Sequence, residues 1–392
     1  MKKIKFKKMV IGEIANSTGN GAMNTLGTVG DINSDGRPDI AISGRNGAMV
    51  WFENPGPVKS WKRHLIDEVH NQECGGCLID LTGKGHLDLI NGSDYMGVTI
   101  SWWENPGNTP GTWRRHEIAD TTFGQFHDTV IADITGDGTR SLVFTNQLAK
   151  GGTTIFRIPV PRDPYAVPWP GLEVIAAAKC EPNPAHPFRN DGMQPEEGLA
   201  VGDVDGDGRN ELVAGTHWYK RVKGRWEGHK FASGYLTTKI AVGDIDGDGR
   251  NEILLSEGDP LVYGKDQGGK LGWFKPGKVI TEMWEEHILE EGLLDAHSLK
   301  LGNLCGNGRI DILIGEVGLA DPKTDMYLRR PPRIMVLENE GKGNFTRHIV
   351  DEGTGCHDAE ILDLFGAGRL DIVTKPLHGP EKWNIHVYSR EG

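Results

Sequence analysis

The sequence predicts an all-β protein, a seven-bladed β-propeller with four antiparallel strands per blade, formed by residues 1–392 as a single domain. Three observations lead to this prediction. A loop motif followed by an apolar run recurs seven times along the chain. Most repeats contain four strand-like segments. The two ends of the chain each supply part of one repeat, which is expected when a ring of blades closes on itself.

The repeated phrase has the form V-G-D-x-(D/N)-x-D-G-R-x-(D/E). It is complete at Val29, Val201 and Val242, and degenerate copies stand elsewhere in the chain. The seven loops open at Asp31, Asp80, Asp133, Asp203, Asp244, Asn303 and Asp363. A phrase repeated at this spacing predicts one structural unit per copy.

Each copy predicts a first strand, a tight polar loop and a second strand, because short Val/Ile/Leu runs are separated by Gly/Asp turns. A third strand, such as MVWFENPG, follows most copies. The predicted fourth strands share the pattern (W/F)-x-x-H-x-I and begin at Trp61, Trp113, Trp284 and Phe345. Their repeated histidines, His64, His116, His287 and His348, are predicted to pack within the blades.

The chain ends indicate how the ring closes. The copy that opens at Asp363 lacks a fourth strand, and residues 5–13 match the fourth-strand pattern. We therefore expect these residues to complete the last blade, which leaves no open sheet edge. Residues 159–196 are Pro-rich and depart from the period, and they are predicted to be an insertion between blades three and four that forms a wall of the central cleft.

The bulk composition limits the partners. A net charge of -12 argues against nucleic acid, which needs clustered Lys and Arg. The sequence contains no apolar run long enough to predict a membrane span. The N-terminus has a basic start without the apolar stretch of a signal peptide, so the chain as given is expected in the cytoplasm, or outside it if a signal has been removed. Its oligomeric state is left open.

Three loops carry oxygen ligands at positions 1, 3, 5 and 9, which can wrap a hard cation. These sets are Asp31, Asn33, Asp35 and Asp39; Asp203, Asp205, Asp207 and Glu211; and Asp244, Asp246, Asp248 and Glu252. They predict structural Ca²⁺, and the alternative is an Asp-Gly turn without an ion. Calcium loops of moderate affinity would be largely empty in the cytosol, which conflicts with the expected compartment.

The register of the loops also predicts an axial site, because the first strand of each propeller blade lines the central axis. The residues six positions before the seven loop openings are Thr25, Cys74, His127, Glu197, Thr238, His297 and His357. Asp128, Lys239, Asp295 and Asp358 lie beside them. The loops after the second strands are expected to reach the same face and to bring Arg45, Tyr95, His217, Trp218, Tyr219 and Lys375, with Arg189 from the insertion.

The D-x-D-x-D-G loops and N-P-G turns resemble the FG-GAP/VCBS family of seven-bladed propellers along essentially the whole chain. The aromatic third strands are similar to those of its sugar-processing members, the lyases that cleave rhamnose–glucuronate linkages and the propeller of aldos-2-ulose dehydratases. This resemblance implies β-elimination on a uronate-containing oligosaccharide or a related sugar.

Such a reaction assigns candidate roles to the axial residues. The predicted acid–base residues are His127, His297 and His357, with Tyr219 or Tyr95 as a second proton carrier. The predicted substrate-binding residues are Arg45, Arg189, Glu197, His217, Trp218, Lys239 and Lys375, with Trp218 stacking on a sugar ring. The same histidines leave open a further divalent metal in the axial pocket and a metal-dependent sugar isomerase or hydrolase. A carbohydrate- or protein-binding propeller without chemistry, its channel lined by polar side chains, is the remaining alternative.

Overall fold

The structure is a computed structural model that describes residues 4–14, 23–56, 60–70, 72, 75–94, 97–107, 111–121, 125–147, 154–177, 197–236, 238–261, 264–321 and 323–391. Within these ranges the chain forms seven antiparallel sheets of four strands each. The predicted all-β fold class and the four-stranded blades are confirmed.

The strands follow one another through the blades in chain order. Blade one contains β2 (Asn24–Gly30), β3 (Asp39–Gly44), β4 (Gly47–Glu53) and β5 (Lys62–His70). Blade two contains β6 (Cys77–Ile79), β7 (Asp88–Gly92), β8 (Thr99–Glu104) and β9 (Arg114–Asp120). Blade three contains β10 (Phe126–Ala132), β11 (Ser141–Asn146), β12 (Thr154–Pro159) and β13 (Glu173–Ala177).

The remaining blades repeat this order. Blade four contains β14 (Leu199–Gly202), β15 (Glu211–Ala214), β16 (His217–Val222) and β17 (Arg225–Lys230). Blade five contains β18 (Thr238–Gly243), β19 (Glu252–Glu257), β20 (Gly269–Lys275) and β21 (Glu285–Leu293). Blade six contains β22 (Ser298–Gly302), β23 (Asp311–Gly315), β24 (Arg333–Gly341) and β25 (Asn344–Glu352). Blade seven contains β26 (His357–Leu362), β27 (Asp371–Lys375), β28 (Asn384–Arg390) and β1 (Phe6–Glu13).

The first strands of the blades form a closed ring around the axis. Each contacts the first strand of the next blade, from β2 through β26 and back to β2. The N-terminal strand closes the last sheet, whose order is β1-β28-β27-β26, with Phe6 opposite Arg390 and Glu13 opposite Asn384. The predicted closure of the ring by residues 5–13 is therefore confirmed.

The hydrophobic core is divided among the junctions between blades. Each of the seven clusters of buried apolar side chains joins residues of two neighbouring blades. Within blades, a tryptophan of the third strand stacks on a histidine of the fourth. The ring centroids are 4.1 Å apart for Trp51 and His64 and 4.2 Å apart for Trp102 and His116. The repeated histidines thus pack within the blades, as predicted.

The opening residue of every loop accepts a backbone hydrogen bond inside the loop. Its side chain receives the N–H of the glycine five positions later, as between Asp31 and Gly36 at 2.8 Å and between Asp363 and Gly368 at 2.7 Å. The equivalent bond is present in all seven loops. This bond explains why Asp or Asn opens every copy, including the copies that lack the other carboxylates.

The predicted insertion differs from the structure in one respect. Part of residues 159–196 belongs to blade three, because Glu173–Ala177 form its fourth strand and pair with β12. Residues 178–196 lie outside the described residues, so the predicted wall of the cleft stays a prediction. The fourth-strand pattern W-x-x-H is absent from β13, which is why the sequence did not reveal this strand.

Candidate functional site

Four of the side chains predicted from the loop register converge at the axis. His127 lies at the start of β10, Glu197 two residues before β14, His297 directly before β22 and His357 at the start of β26. The side chain of Lys239 in β18 joins them. All five residues are buried, with 4–6% of their surface exposed. The first strands of blades three to seven therefore bring together three histidines, a carboxylate and an ammonium group.

Glu197 is the centre of this axial cluster. Its Oε2 atom lies 2.8 Å from Nε2 of His297 and 3.4 Å from Nε2 of His127. The ammonium of Lys239 is 3.9 Å from the same oxygen. The pKa of Glu197 is held well below its usual range: burial favours the neutral acid, but the electrostatic interactions with His127, His297 and Lys239 outweigh it.

Two further carboxylates hold the outer nitrogens of these rings. Asp128 Oδ1 lies 3.2 Å from Nδ1 of His127, and Asp295 Oδ1 contacts Nδ1 of His297. Burial opposes protonation of His297, yet the carboxylates of Asp295 and Glu197 raise its pKa well above the usual 6.5. His297 is thus an imidazolium at neutral pH, clamped between two carboxylates.

His357 has the opposite environment. The ammonium of Lys375 donates to His357 Nδ1 at 3.1 Å and to the backbone carbonyl of Asn24 at 3.2 Å. Burial and the positive charges of Lys375 and His297 lower the pKa of His357 well below 6.5. This ring is therefore neutral at pH 7, and its centroid lies 5.0 Å from that of the charged His297.

The cluster also has the donor set of a metal site. One ring nitrogen from each of His127, His297 and His357 lies within 4.8 Å of the others, and His297 forms a second such group with Glu197 and Asp259. Imidazole and carboxylate ligands suit zinc and other divalent transition metals. Carboxylates on the outer ring nitrogens, as Asp128 and Asp295 provide, typically orient metal-binding histidines. These residues fit a divalent metal.

A glycine allows blade two to approach the cluster closely. Gly75, just before β6, has φ of +77°, and a Cβ atom there would collide with the backbone carbonyl of His127. The side chain of Thr129 donates to the carbonyl of Gly75 in the same contact. A side chain at position 75 would displace the strand that carries His127.

The structure places several predicted substrate-binding residues elsewhere. Arg45, after β3, donates through Nη2 to the buried Asp94 at 3.1 Å, so it forms an inter-blade ion pair. Lys375 does lie at the axis. Tyr95 and Arg189 fall outside the described residues.

His217, Trp218 and Tyr219 were expected in the loop after the second strand of blade four, at the axial face, and this expectation was wrong. They begin β16, the third strand of blade four, after a two-residue turn. Trp218 is 1% exposed and stacks on His229, and Tyr219 packs in the cluster between blades three and four. Trp218 is therefore not available to stack on a sugar, and Tyr219 is a core residue.

The sequence analysis missed a half-buried ion pair between two first strands. Lys300 Nζ of β22 lies 2.9 Å from Glu360 Oε1 of β26. Both residues stand three positions before their loop openings, where most blades carry an apolar or small residue. A charged residue at that position was the available signal, because neighbouring first strands bring equivalent positions together.

The predicted calcium loops of blades four and five have their carboxylates close together. Asp203, Asp205 and Glu211 form one group, and Asp244, Asp246, Asp248 and Glu252 form another. In the loop of blade one, Asp31 and Asn33 accept the backbone N–H of Asp35, and Asp39 accepts that of Ile32. The binding of calcium to these loops stays a prediction.

One cavity of the described residues lies away from the axis. It has a volume of about 690 Å³ and lies between blades one and two, lined in part by Trp51, His64 and Trp113. The charged and titratable groups of the axial cluster do not line it. The axial cluster is therefore the candidate site because of its chemistry.

These features define the class of protein: a seven-bladed β-propeller with a buried axial cluster, built from repeats of one loop-containing blade. The profile of the FG-GAP-like repeat matches residues 203–255. Cartilage acidic protein 1 of Xenopus tropicalis is 26% identical over 197 residues, which are 47% of this chain and 27% of that protein. The chain thus corresponds to about a quarter of that relative.

Solved structures share the fold at low identity. Rhamnogalacturonan lyase PL11 of Bacillus licheniformis has a TM-score of 0.51 and 13% identity, over 98% of this chain and 75% of that chain. The V. cholerae biofilm matrix protein Bap1 has a TM-score of 0.49 and 11% identity, over 99% and 91%. Rhamnogalacturonan lyase YesW has a TM-score of 0.48 and 14% identity, over 98% and 75%. At these identities the similarity concerns the fold alone. In the described part of the chain no helix has the length and apolarity needed to cross a bilayer.

Proposed function

We propose that the protein is a carbohydrate-active lyase that performs β-elimination on a uronate-containing oligosaccharide, or a related sugar, at the axial cluster. The observation that carries this proposal is the convergence of His127 and His297 on Glu197, with the ring of His357 5.0 Å from that of His297 and two buried lysines beside them. These groups provide a base, an acid and fixed positive charge within one site. All three are needed for elimination from a sugar acid.

Beta-elimination removes the proton α to a carboxylate and expels the oxygen on the β carbon. It needs a base for the proton, a cation that stabilises the enolate and an acid for the leaving oxygen. His357, neutral at pH 7, is the group suited to accept a proton, and His297, protonated at pH 7, is the group suited to donate one. Two neighbouring groups with pKa values driven apart are typical of an acid–base pair.

The buried lysines suit the charge of the substrate. Lys239 and Lys375 are 5% and 0% exposed; Lys239 Nζ lies 3.4 Å from Asp128 Oδ1, and Lys375 Nζ donates to His357 Nδ1. A uronate carboxylate that drew the ammonium of Lys375 toward itself would release Nδ1 of His357, the atom that Lys375 now occupies. Substrate binding would in this way free the base.

Replacement of the histidines tests the proposal. We expect His297→Ala and His357→Ala, and also His127→Ala, to lower the rate at which glucuronate-terminated oligosaccharides give the ultraviolet-absorbing unsaturated product by at least ~10²-fold, a typical loss for a general acid or base. His116→Ala is the matched control, because His116 stacks on Trp102 in an outer strand. Full activity in all three axial variants would contradict the assignment.

A metal-dependent sugar isomerase or hydrolase is the second candidate, favoured by the three ring nitrogens that lie within 4.8 Å of one another. A divalent metal held by these histidines would act as a Lewis acid on a sugar oxygen. Metal analysis of the same variants separates the two candidates. About one zinc or manganese per wild-type chain, lost in His127→Ala and His297→Ala, favours the metal enzyme.

A further inference from the structure

In each blade the last residue of the third strand lies beside the loop that joins the first and second strands. The type of this residue differs between blades together with the residues of the loop. By register, the residue opposite loop position 9 is Glu53, Glu104, Pro159, Lys220, Lys275, Glu338 and Ser389 in blades one to seven. Lysine stands there in blades four and five. These are the blades in which the loop has aspartates at positions 1, 3 and 5 and glutamate at position 9.

In blade four the lysine reaches into the loop. Lys220 Nζ lies 2.5 Å from Asp205, 2.7 Å from Asp207 and 3.4 Å from Glu211. These residues hold loop positions 3, 5 and 9. The three donors of an ammonium group therefore meet three carboxylates at the place where a bound cation would be coordinated.

Blade five repeats this arrangement. Lys275 Nζ contacts Asp246 and lies 2.7 Å from Asp248, at loop positions 3 and 5. The hydrogen bonds that Lys275 donates to the two aspartates raise its pKa above its usual range. For Lys220, burial acts in the opposite direction, but the aspartates outweigh it and its pKa is also raised. Both lysines are therefore positively charged at neutral pH.

Blade two has the same ion pair with the charges exchanged. There Lys84 occupies loop position 5 and Glu104 the end of the third strand, with Lys84 Nζ 2.7 Å from Glu104 Oε1. In blade six asparagine, a neutral residue, stands at loop position 5, and Asn307 donates to Glu338 at 3.3 Å. In blades two, four, five and six, loop position 5 thus contacts the end of the third strand. The charge of the residue at each of these two places differs from blade to blade.

We propose that Lys220 and Lys275 are built-in cations that replace calcium in the loops of blades four and five. The oxygen ligands of these loops match the requirements of Ca²⁺, but the ammonium groups hold the space between them. A calcium ion could enter only if the lysine left, because two cations would repel each other at that distance. The two loops that best match a calcium motif are therefore folded without calcium.

Removal of one lysine tests the proposal. Lys220→Met leaves three carboxylates without a counter-ion, so we expect a lower melting temperature in EDTA and a Ca²⁺-dependent recovery. Calcium should raise the melting temperature of this variant by about 2–4 °C more than that of the wild type. Lys275→Met should behave in the same way, and Asp207→Asn in the Lys220→Met background should reduce the recovery.

Two further variants complete the experiment. Lys84→Met removes the equivalent ion pair of blade two, where positions 3 and 5 would then offer only Thr82 and a methionine, so it should lose stability without any gain from calcium. The double variant Asp207→Lys, Lys220→Glu copies blade two and should fold without responding to calcium, even if Lys220→Met does not fold. The proposal would be overturned if calcium raised the melting temperatures of wild type, Lys220→Met and Lys275→Met by the same amount. It would also be overturned if the double variant and Lys220→Met responded equally to calcium.

Discussion

The protonation states of the axial histidines are set by which charged groups their strands bring beside them. His297 lies between Asp295 and Glu197 and is held as a cation. His357 lies beside the ammonium of Lys375 and is held neutral. Two rings with centroids 5.0 Å apart therefore differ in charge at neutral pH. The neighbouring charged groups therefore make His297 a proton donor and His357 a proton acceptor, although both side chains are imidazoles.

Titration of the histidine ring signals by NMR, with metal removed, should detect this difference. We expect the His297 signal to remain that of the protonated ring well above pH 6.5, and the His357 signal to remain that of the neutral ring well below it. Asp295→Asn should lower the pKa of His297. Coincident titration of both rings near pH 6.5 would contradict the proposed pairing.

The same shift has a consequence for stability. The pKa of His297 is raised in the folded protein, so protonation of this ring stabilises the fold. This contribution to the free energy of unfolding is fully present below pH 6.5, the pKa in the unfolded chain, and is lost as the pH rises through the pKa of the folded protein. The free energy of unfolding that Asp295→Asn removes should thus be larger at mildly acidic than at strongly alkaline pH. Denaturation of both proteins at the two pH values measures this difference.

The sequence alone predicted which residues meet at the axis, because equivalent positions in a repeat must occupy equivalent places. Counting six residues back from each loop found His127, Glu197, His297 and His357. It did not predict that Glu197 bridges two rings or that Lys375 contacts His357. Those contacts depend on side-chain directions across neighbouring blades, and the repeat does not encode them.

At the scale of the element, an asparagine after the third strand connects neighbouring blades. Asn105 follows β8, and its Nδ2 donates to the carbonyls of Ile32 in blade one and Leu87 in its own blade, at 2.9 and 3.0 Å. Its Oδ1 accepts the N–H of Gly107 at 2.9 Å. Asn54 and Asn339 make the same bonds in blades one and six. The N-P-G turn therefore joins blades as well as strands.

Asn105→Ala should destabilise the protein by about 1–3 kcal/mol, because it leaves two buried carbonyls and one amide without their partner. The matched control is Asn344→Ala, at the exposed start of β25, where Nδ2 donates to the carbonyl of Gly341. That change should cost less than about 0.5 kcal/mol. Equal midpoints of urea denaturation for the two variants would contradict a bridging role for Asn105.

Element boundaries were predicted well where the repeat is complete and poorly where it is shortened. Trp218 stands opposite His229 as Trp51 stands opposite His64, so it is the packing tryptophan of blade four. The sequence analysis placed it in a loop because only Gly215 and Thr216 separate β15 from β16. A turn of two residues gives no polar stretch that would mark the start of the third strand.

At the scale of the whole molecule, the ring is held by pairing between the first and last strands of the chain. The side chains of Met9 and Ile11 in β1 pack against the cluster between blades seven and one. The backbone of β1 pairs with β28 along seven residues of register. Without β1, blade seven would expose the edge of β28 and part of two hydrophobic clusters.

Deletion of residues 1–13 should therefore lower the melting temperature and cause aggregation detectable by light scattering. A synthetic peptide of residues 6–13 added to the truncated protein should restore the melting temperature by taking the place of β1. Val10→Lys is the matched control, because Val10 is 55% exposed, and it should leave the stability nearly unchanged. Unchanged stability of the truncated protein would show that β1 does not close the ring.

The pairing of β1 with β28 also places the first and last strands side by side in one sheet. Phe6 and Arg390 stand opposite each other on adjacent strands, so a short peptide linker could join the two strands there without disturbing either. A circular permutant that begins at the exposed residues Ser233 and Gly234, between blades four and five, should keep the axial cluster intact. We therefore expect the fold to depend on the order of the blades around the axis and not on the blade at which the permuted chain begins.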